Sequence, residues 1–349
     1  MTLPDSPVLR FLIGAAALVV IVAGLKAAAV FFLPLLLALF LTILSLPLLD
    51  WLRRRRMPAG IAVTLTMLVV VAVLGVVGLV ISVSVEDLTE KLPEYEVQVR
   101  EAAGRTTDWL EQRRVAVPRR IDTEALDLGA MANLVGGAFR GVATLLSSFL
   151  LVLLLLVFML WEAVILPAKI HAAERSGPVD LERWRPIVSR VQRYLVLKTL
   201  VSLATGVAAG LLVWLVGVDF ALFWGFLAFL LNYIPNVGSF VAAGPPLVLS
   251  ALRLGLTPTL IIAAGYLTIN MVLGNLVEPA VMGRGLRMSP LAIFLALVFW
   301  GWVWGALGMI LSVPLTVSLK ILFENTESLS WLAVLLGRRP RVVGPAPSA

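Results

Sequence analysis

The amino-acid sequence predicts an all-α polytopic membrane protein with about eight membrane segments. Apolar residues make up 60% of its 349 positions and charged residues only 14%, against about 45–50% and about 25% in soluble domains. Several uncharged runs also reach the ~20 residues that a helix needs to cross a hydrocarbon core. A membrane β-barrel would instead show short strands of alternating hydrophobicity, so helices are the predicted spanning elements.

The N-terminal part of the chain contains three of these segments. The runs 11–25 and 27–49 predict two helices joined by a tight turn at Lys26, and the run 61–85 predicts the third. Arginine occupies every position of 53–56, and the excess of positive charge on cytoplasmic loops places this stretch inside. Residues 1–85 are therefore predicted to form a membrane region whose N-terminus is cytoplasmic.

The middle of the chain alternates between polar and apolar stretches. Residues 86–132 follow the third helix on the external side and predict an amphipathic helix, because their apolar residues recur at helical spacing. Residues 133–166 predict the fourth membrane helix, which ends within 162–167. Residues 167–198 are rich in arginine and predict a cytoplasmic interfacial helix that turns into the membrane at Leu195.

Two apolar segments of the C-terminal half are interrupted by helix-breaking residues. The segment 220–252 is broken at 232–238, which reads NYIPNVG, and the segment 290–323 is broken around 301–308. Between them the apolar run 258–281 ends near Glu278. Matches at one constant offset predict an internal repeat within residues 199–323; they place 226–228 on 294–296 and 246–247 on 314–315.

Each broken segment is predicted to be a re-entrant hairpin that dips to mid-membrane and returns to its own side. Irregular backbone is tolerated at that depth only where protein or a wet cavity surrounds it. One crossing then separates the two copies, which gives them inverted topology, a common plan in secondary transporters. Asp219 and Arg253 would lie outside, and the tail, residues 324–349, inside. With hairpins, Arg284 and Arg287 would lie inside. The alternative is that each broken segment is one full crossing, which would place these two arginines outside.

The two longest Pro- and Gly-containing motifs also resemble a known family. NYIPNVGSFVAAGPP at 232–246 and NLVEPAVMGRGLRMSP at 275–290 are similar to the signature of the autoinducer-2 exporter family of bacterial membrane proteins. The resemblance is strongest over 199–324 and implies that 199–323 is a transport core. It implies an inner-membrane permease that assembles as a homo-oligomer, such as a pentamer, and exports a small polar solute such as autoinducer-2. Sodium/proton exchange is the alternative that the family offers.

The first break supplies polar groups that suit a hydroxylated solute or a dehydrated cation. Asn270 and Asn275 on the neighbouring helix are predicted to face the same cavity. The alternative is that the asparagines cap half-helices or bond adjacent helices. The candidate pathway residues in the break itself are Asn232, Tyr233, Pro235, Asn236 and Gly238.

Glu278 is the only carboxylate between Asp219 and Glu324. A charge at the bilayer centre costs about 2.5–3.5 kcal/mol on insertion scales, so a carboxylate there is either protonated or matched to a cation. This predicts a role in proton or sodium coupling. The alternative is a structural ion pair with Arg284 or Arg287 at the cytoplasmic end of the helix.

The second break contains the sequence GWVWG at 301–305. Trp302 and Gly305 are candidate pathway residues. The Trp302 indole ring would line a substrate cavity beside the turn that the glycine allows. The alternative is that the tryptophans anchor this segment at the membrane interface, which is a common use of Trp in membrane proteins.

Other classes of function lack candidate residues. The chain has no cysteine, no HExxH and no GxxxxGK[ST] motif, and its single histidine, His171, lies in a polar loop, so hydrolytic or nucleotide-driven chemistry is disfavoured. No cofactor or metal is expected. The basic residues flank apolar runs, which the positive-inside bias explains without nucleic acid. The expected partners are the lipid bilayer, a small polar solute or a monovalent cation, and further copies of the chain. A passive channel or a non-transporting structural membrane protein remains the alternative.

Overall fold

The computed structural model of the chain describes residues 7–112, 149–176, 185–234, 237–282, 288–324, 326 and 329–337. The regular elements in these ranges are helices. Six of them are long and apolar enough to cross a membrane, and shorter apolar helices accompany them. The composition therefore predicted the class correctly, since the chain is an all-helical, multi-pass protein. It divides into a flanking unit (residues 1–67, 149–196 and 284–349) and a central unit (68–148 and 197–283).

The first three helices follow the apolar runs of the sequence. α1 (Pro7–Ala27) and α2 (Ala29–Arg54) are joined by a turn at Ala28, close to the predicted position. α3 (Ala59–Gln112) is uninterrupted over 54 residues, which is about 80 Å of helix. It therefore combines the predicted third membrane helix and the beginning of the predicted external helix in a single element.

The next two helices are longer than the sequence predicted. α4 (Phe149–Ser176) continues past 162–167 with Pro167 inside it, because a single proline removes one hydrogen bond without supplying a stop signal. α5 (Arg185–Val216) passes straight through Leu195, so the predicted turn into the membrane there is wrong. The stretch 187–205 contains neither glycine nor proline to break the helix. The predicted start of the fourth membrane helix, 133–148, lies outside the described residues.

In the central unit, the first broken segment folds as α6 (Ala221–Leu231) and α7 (Val237–Arg253). The two ends of the segment meet, because Asp219 forms an ion pair with Arg253. The chain thus returns to the place where the segment began, and the break lies at the tip of a helical hairpin. A buried apolar core joins this hairpin to α5; its members include Ala209, Val213, Phe223, Trp224, Ala228, Ala242 and Leu249.

Small residues allow α5 and α6 to pack closely. A Cβ built on Gly206 would lie 2.7 Å from the Gly225 carbonyl oxygen, and a Cβ on Gly225 would lie 2.8 Å from that of Gly206. Neither position has room for a side chain, so the two backbones are in direct contact.

α8 (Leu256–Ile269) follows the hairpin and continues through a π-helix (Asn270–Val277) into α9 (Glu278–Met282). The described helix ends at Met282, close to the predicted end near Glu278, and Pro279 lies inside its last turns. Pro279 has no N–H, so a carbonyl of the preceding turn loses its helical hydrogen-bond donor. The widened π-helix stands directly before this proline, and such irregular turns are frequent at functional sites.

In the flanking unit, the second broken segment lies within α10 (Pro290–Glu324), which α11 (Ser330–Leu336) follows. The break is at Gly305, whose φ of 67° and ψ of −148° favour glycine, inside the predicted interval 301–308. The two arms fold back on each other, since Trp300 Nε1 donates to Thr316 Oγ1 at 3.1 Å. The base of this second hairpin is tied to α11, because the Ser289 N–H donates to the Leu336 carbonyl at 2.9 Å.

Candidate functional site

Three polar side chains stand on one turn of α5, in an otherwise apolar stretch. They are Lys198, Thr199 and Ser202, and the first and last are almost completely buried. Residues three or four positions apart share a helix face, so this turn presents hydroxyl and ammonium groups together. Each of the three bonds a different residue of the central unit, which makes the turn the centre of the candidate site.

Two of these contacts hold the tip of the first hairpin. The Asn232 side-chain amide donates to Ser202 Oγ at 3.0 Å, and the hydroxyl oxygens of Tyr233 and Thr199 are 2.7 Å apart. Asn232 and Tyr233, both candidate residues from the sequence, are buried. The remaining tip candidates, Pro235 and Asn236, lie outside the described residues.

Gly238 allows the tip to close. A Cβ built on Gly238 would overlap the carbonyl group of Leu231, the last residue of α6. The Gly238 N–H donates to the Ile234 carbonyl at 3.1 Å, which fixes the start of α7 against the turn. Gly238 therefore permits a close approach between the two arms of the hairpin.

The π-helix makes a third connection to the hairpin. Ser239 Oγ donates to Asn270 Oδ1 at 2.9 Å. The same oxygen lies over Gly274, where an added Cβ would approach it to 2.9 Å. Asn270 therefore joins the tip region to the irregular helix. Asn275, by contrast, has an exposed side chain.

Glu278 follows the π-helix and forms an ion pair with Lys198. The lysine Nζ lies 2.8 Å from both carboxylate oxygens, and the side chains are 3% exposed for Lys198 and 23% for Glu278. Lys198 was not among the predicted site residues, because this lysine ends a basic stretch that is typical of a cytoplasmic loop. The available signal was that Lys198 is the only charged residue between Arg193 and Asp219.

The predicted partners of Glu278, Arg284 and Arg287, lie outside the described residues. A second charged group is found at the base of the first hairpin, where Asp219 contacts both Lys91, at 2.8 Å, and Arg253. The hairpin is thus held by ion pairs at its base and by neutral hydrogen bonds at its tip.

The other two candidates, Trp302 and Gly305, belong to the flanking unit. The Trp302 side chain is 60% exposed, and Lys26 Nζ lies 4.5 Å from its ring centroid. Trp304 Nε1 donates to the Leu25 carbonyl at 3.1 Å. Leu25 is near the end of α1, so the tip of the second hairpin lies at the end of this helix rather than at its middle. This placement is typical of an interfacial anchor.

The central unit therefore buries amide, hydroxyl and charged groups between helices that are otherwise apolar. Polar groups inside membrane helices mark solute or ion pathways, and interrupted helices beside such groups are typical of secondary transporters. The fold and the site define a multi-pass membrane transport protein.

Comparison with known proteins agrees with this class. The family model described as AI-2E family transporter matches residues 15–328, and the chain belongs to this family. It is 37% identical over 330 residues to AI-2 transport protein TqsA of Escherichia coli strain K12, covering 94% of this chain and 95% of that protein.

Two further relatives are described only as putative transport proteins. The chain is 36% identical over 334 residues to YhhT of Escherichia coli strain K12, covering 96% of each protein. It is 29% identical over 312 residues to YrrI of Bacillus subtilis strain 168, covering 83% of this chain and 85% of the relative. Full-length similarity therefore extends to relatives whose names specify no solute.

Proposed function

We propose that this chain is a secondary transporter that moves a small polar solute across the bacterial inner membrane through the polar cluster of the central unit. The observation that carries the proposal is the attachment of a hairpin tip to α5 by two side-chain contacts, a buried one from Asn232 to Ser202 and a partly buried one from Tyr233 to Thr199. Hydroxyl and amide groups of this kind suit a hydroxylated solute. Autoinducer-2 is the first solute to test, because the relative TqsA is named as its transport protein.

The first hairpin is proposed to be re-entrant. α6 has 11 residues and α7 has 17, which is about 17 Å and about 26 Å of helix, and both are shorter than the ~30 Å hydrocarbon core. The ion pair between Asp219 and Arg253 supports a return to the starting side. The positive-inside bias then puts this base outside and both termini in the cytoplasm.

In this proposal the tip of the first hairpin is a gate. While Asn232 and Tyr233 remain bonded to α5, the polar groups of the cluster are satisfied by protein, and the pathway is closed. Release of the tip frees the same groups for solute. Copies of the chain are further proposed to assemble into a homo-oligomer in the bilayer.

A disulfide across the tip tests the gate, because the chain contains no native cysteine. Ser202→Cys combined with Asn232→Cys should cross-link α5 to the tip on oxidation. We expect solute flux in proteoliposomes to stop in the oxidised sample and to return after reduction. The matched control is Asp219→Cys combined with Arg253→Cys, which links the base of the hairpin and should leave oxidised and reduced fluxes equal.

Flux that continues in a fully cross-linked tip variant would refute the gate. Solute movement that never shows counterflow would instead identify a passive channel, since only a carrier accumulates labelled solute transiently when unlabelled solute leaves from the opposite side. No flux of any solute in the native protein would favour a structural role.

Sodium/proton exchange is the second candidate function, and the Lys198–Glu278 pair favours it. A carboxylate matched to one ammonium group inside a membrane segment is typical of ion pathways. Glu278→Gln should abolish a flux that depends on an imposed sodium or pH gradient. If solute uptake proceeds equally in both proteins and responds to neither gradient, the pair is structural and the hairpin tip is the site to pursue.

A further inference from the structure

We propose that the Lys198 ammonium group is a tethered competitor for a small monovalent metal cation at the Glu278 carboxylate. The pair is then an exchangeable cation site, in which either the lysine or the free cation neutralises the glutamate. The coupling role of this site rests on the proposed transport function. Cation binding itself is measured independently of transport.

The first argument is the isolation of the two charges. Lys198 is the only charged residue between Arg193 and Asp219, and Glu278 is the only carboxylate between Asp219 and Glu324. Removing two charges from water costs several kcal/mol per ion, and apolar side chains of similar volume are often as stabilising as a buried ion pair. Stability alone therefore gives no reason to place this pair between membrane helices.

The second argument is geometric. One ammonium group lies 2.8 Å from both carboxylate oxygens, which is where a small cation held by a bidentate carboxylate would sit. The carboxylate side chain is 23% exposed while the lysine side chain is 3% exposed. The carboxylate is therefore the more accessible member of the pair.

The third argument is the backbone beside the carboxylate. Pro279 provides no N–H, so the preceding turn keeps a carbonyl group without its helical donor. The Glu278 N–H donates to the Leu273 carbonyl in the widened pattern of the π-helix. In a helix, the side chain of Glu278 leans towards the preceding turn. This lean would turn the carboxylate towards the carbonyl groups of that turn, and oxygen ligands are those that hard cations prefer.

The lysine side chain is suited to exchange. Its ammonium group is a compact charge on a flexible four-carbon stem, so it can withdraw from the carboxylate without movement of α5. Among the described residues of the central unit, three other ion-paired groups, Lys91, Asp219 and Arg253, lie together at the hairpin base. They satisfy one another and do not supply a substitute for either member of this pair.

The test is the thermal unfolding of the purified full-length protein, followed by tryptophan fluorescence, in NaCl and in choline chloride of equal ionic strength. Lys198→Gln leaves the carboxylate without its ammonium partner. We expect this variant to unfold at a lower temperature than the native protein in choline and to recover in sodium. Its half-saturating sodium concentration should be about tenfold lower than that of the native protein, because a competitor that occupies the site about nine-tenths of the time reduces apparent affinity by that factor.

Two variants serve as controls. Glu278→Gln removes the carboxylate and should unfold at the same temperature in sodium and in choline. The double variant Lys198→Gln/Glu278→Gln leaves no unpaired charge and should also show no difference between the salts. If Lys198→Gln cannot be purified, comparison of the native protein with the double variant still tests for a cation site at Glu278. Only the native protein should then unfold at a higher temperature in sodium than in choline.

Equal unfolding temperatures of Lys198→Gln in sodium and choline would overturn the proposal, as would a sodium-specific shift that persists in the double variant. Solute flux measured on the same preparations separates this inference from the proposed function. Sodium rescue without flux of any solute would retain the cation site and remove the transport function. Flux without sodium-specific stabilisation would retain transport and remove the cation site.

Discussion

Ser202 Oγ accepts a hydrogen bond from the Asn232 side-chain amide at 3.0 Å, and both residues are buried. The contact joins the turn at the tip of the first hairpin to the middle of a continuous helix, α5. A buried donor that loses its acceptor costs more than the bond itself contributed, because water cannot reach it. The tip can therefore leave α5 only if something else, such as solute or water, satisfies the amide.

Ser202→Ala should lower the free energy of unfolding by about 1–3 kcal/mol, because the Asn232 amide is left buried without an acceptor. Thr205→Val is the matched control, since the Thr205 hydroxyl donates to the Val201 carbonyl of its own helix and the substitution preserves shape. Unfolding in detergent, monitored by tryptophan fluorescence, measures both. Equal losses in the two variants would mean that the contact between tip and helix contributes no more to the free energy of unfolding than a hydrogen bond within the helix.

Gly238→Ala should destabilise the hairpin by about 1–3 kcal/mol, the usual cost of overpacking, because the new methyl group overlaps the Leu231 carbonyl. Gly244→Ala in the same helix has no neighbour within 4 Å of the added carbon and should be neutral or stabilising, since alanine favours helix over glycine. Unfolding temperatures of the two variants provide the comparison. A Gly238→Ala protein as stable as Gly244→Ala would show that the tip is more open than the structure has it.

Asp219→Asn should weaken the hairpin base, because one carboxylate serves both Lys91 and Arg253. The cations are partly exposed, so the loss should be about 1 kcal/mol and should shrink at high salt. Glu162→Gln is the matched control, since it breaks a single exposed pair with Lys169 and should change stability by less than ~0.5 kcal/mol. Identical salt dependence in the two variants would contradict a role for Asp219 at the base.

Trp300→Leu should lower stability by about 2 kcal/mol or more, because the ring is buried and its N–H donates to Thr316. Trp302→Leu should preserve both stability and solute flux, because this ring is mostly exposed beside Lys26. Unfolding and proteoliposome flux are measured for both variants. Loss of flux in a stable Trp302→Leu protein would return this residue to the solute pathway.

The interruptions of the helices were predictable from local chemistry. Asn, Pro and Gly placed a turn at 232–238, and glycine placed one at 301–308, where Gly305 breaks α10. Single prolines were a less reliable signal. Pro167 and Pro279 lie inside helices, because one missing hydrogen bond does not by itself end a helix.

The pairing of distant residues was not predictable from the sequence alone. Asn232, Tyr233, Asn270 and Glu278 were chosen for their residue types, and the structure joins the first two to α5, Asn270 to Ser239 and Glu278 to Lys198. Lys198 and Glu278 are separated by 80 positions, and no local pattern links residues at that distance. Asn275 illustrates the converse, since its type resembles that of Asn270 but its position on the helix leaves it exposed.

The uninterrupted length of α3 has a practical consequence. Its 54 residues extend about 80 Å, roughly twice the thickness of a bilayer with its headgroups, and Lys91 on its second half holds Asp219 at the hairpin base. A displacement of the far end of this helix would therefore be felt at the ion pair between Lys91 and Asp219. An antibody fragment or a small protein that binds the C-terminal part of α3 would therefore restrict the movement of the first hairpin. Such a reagent would inhibit the protein without entering the membrane.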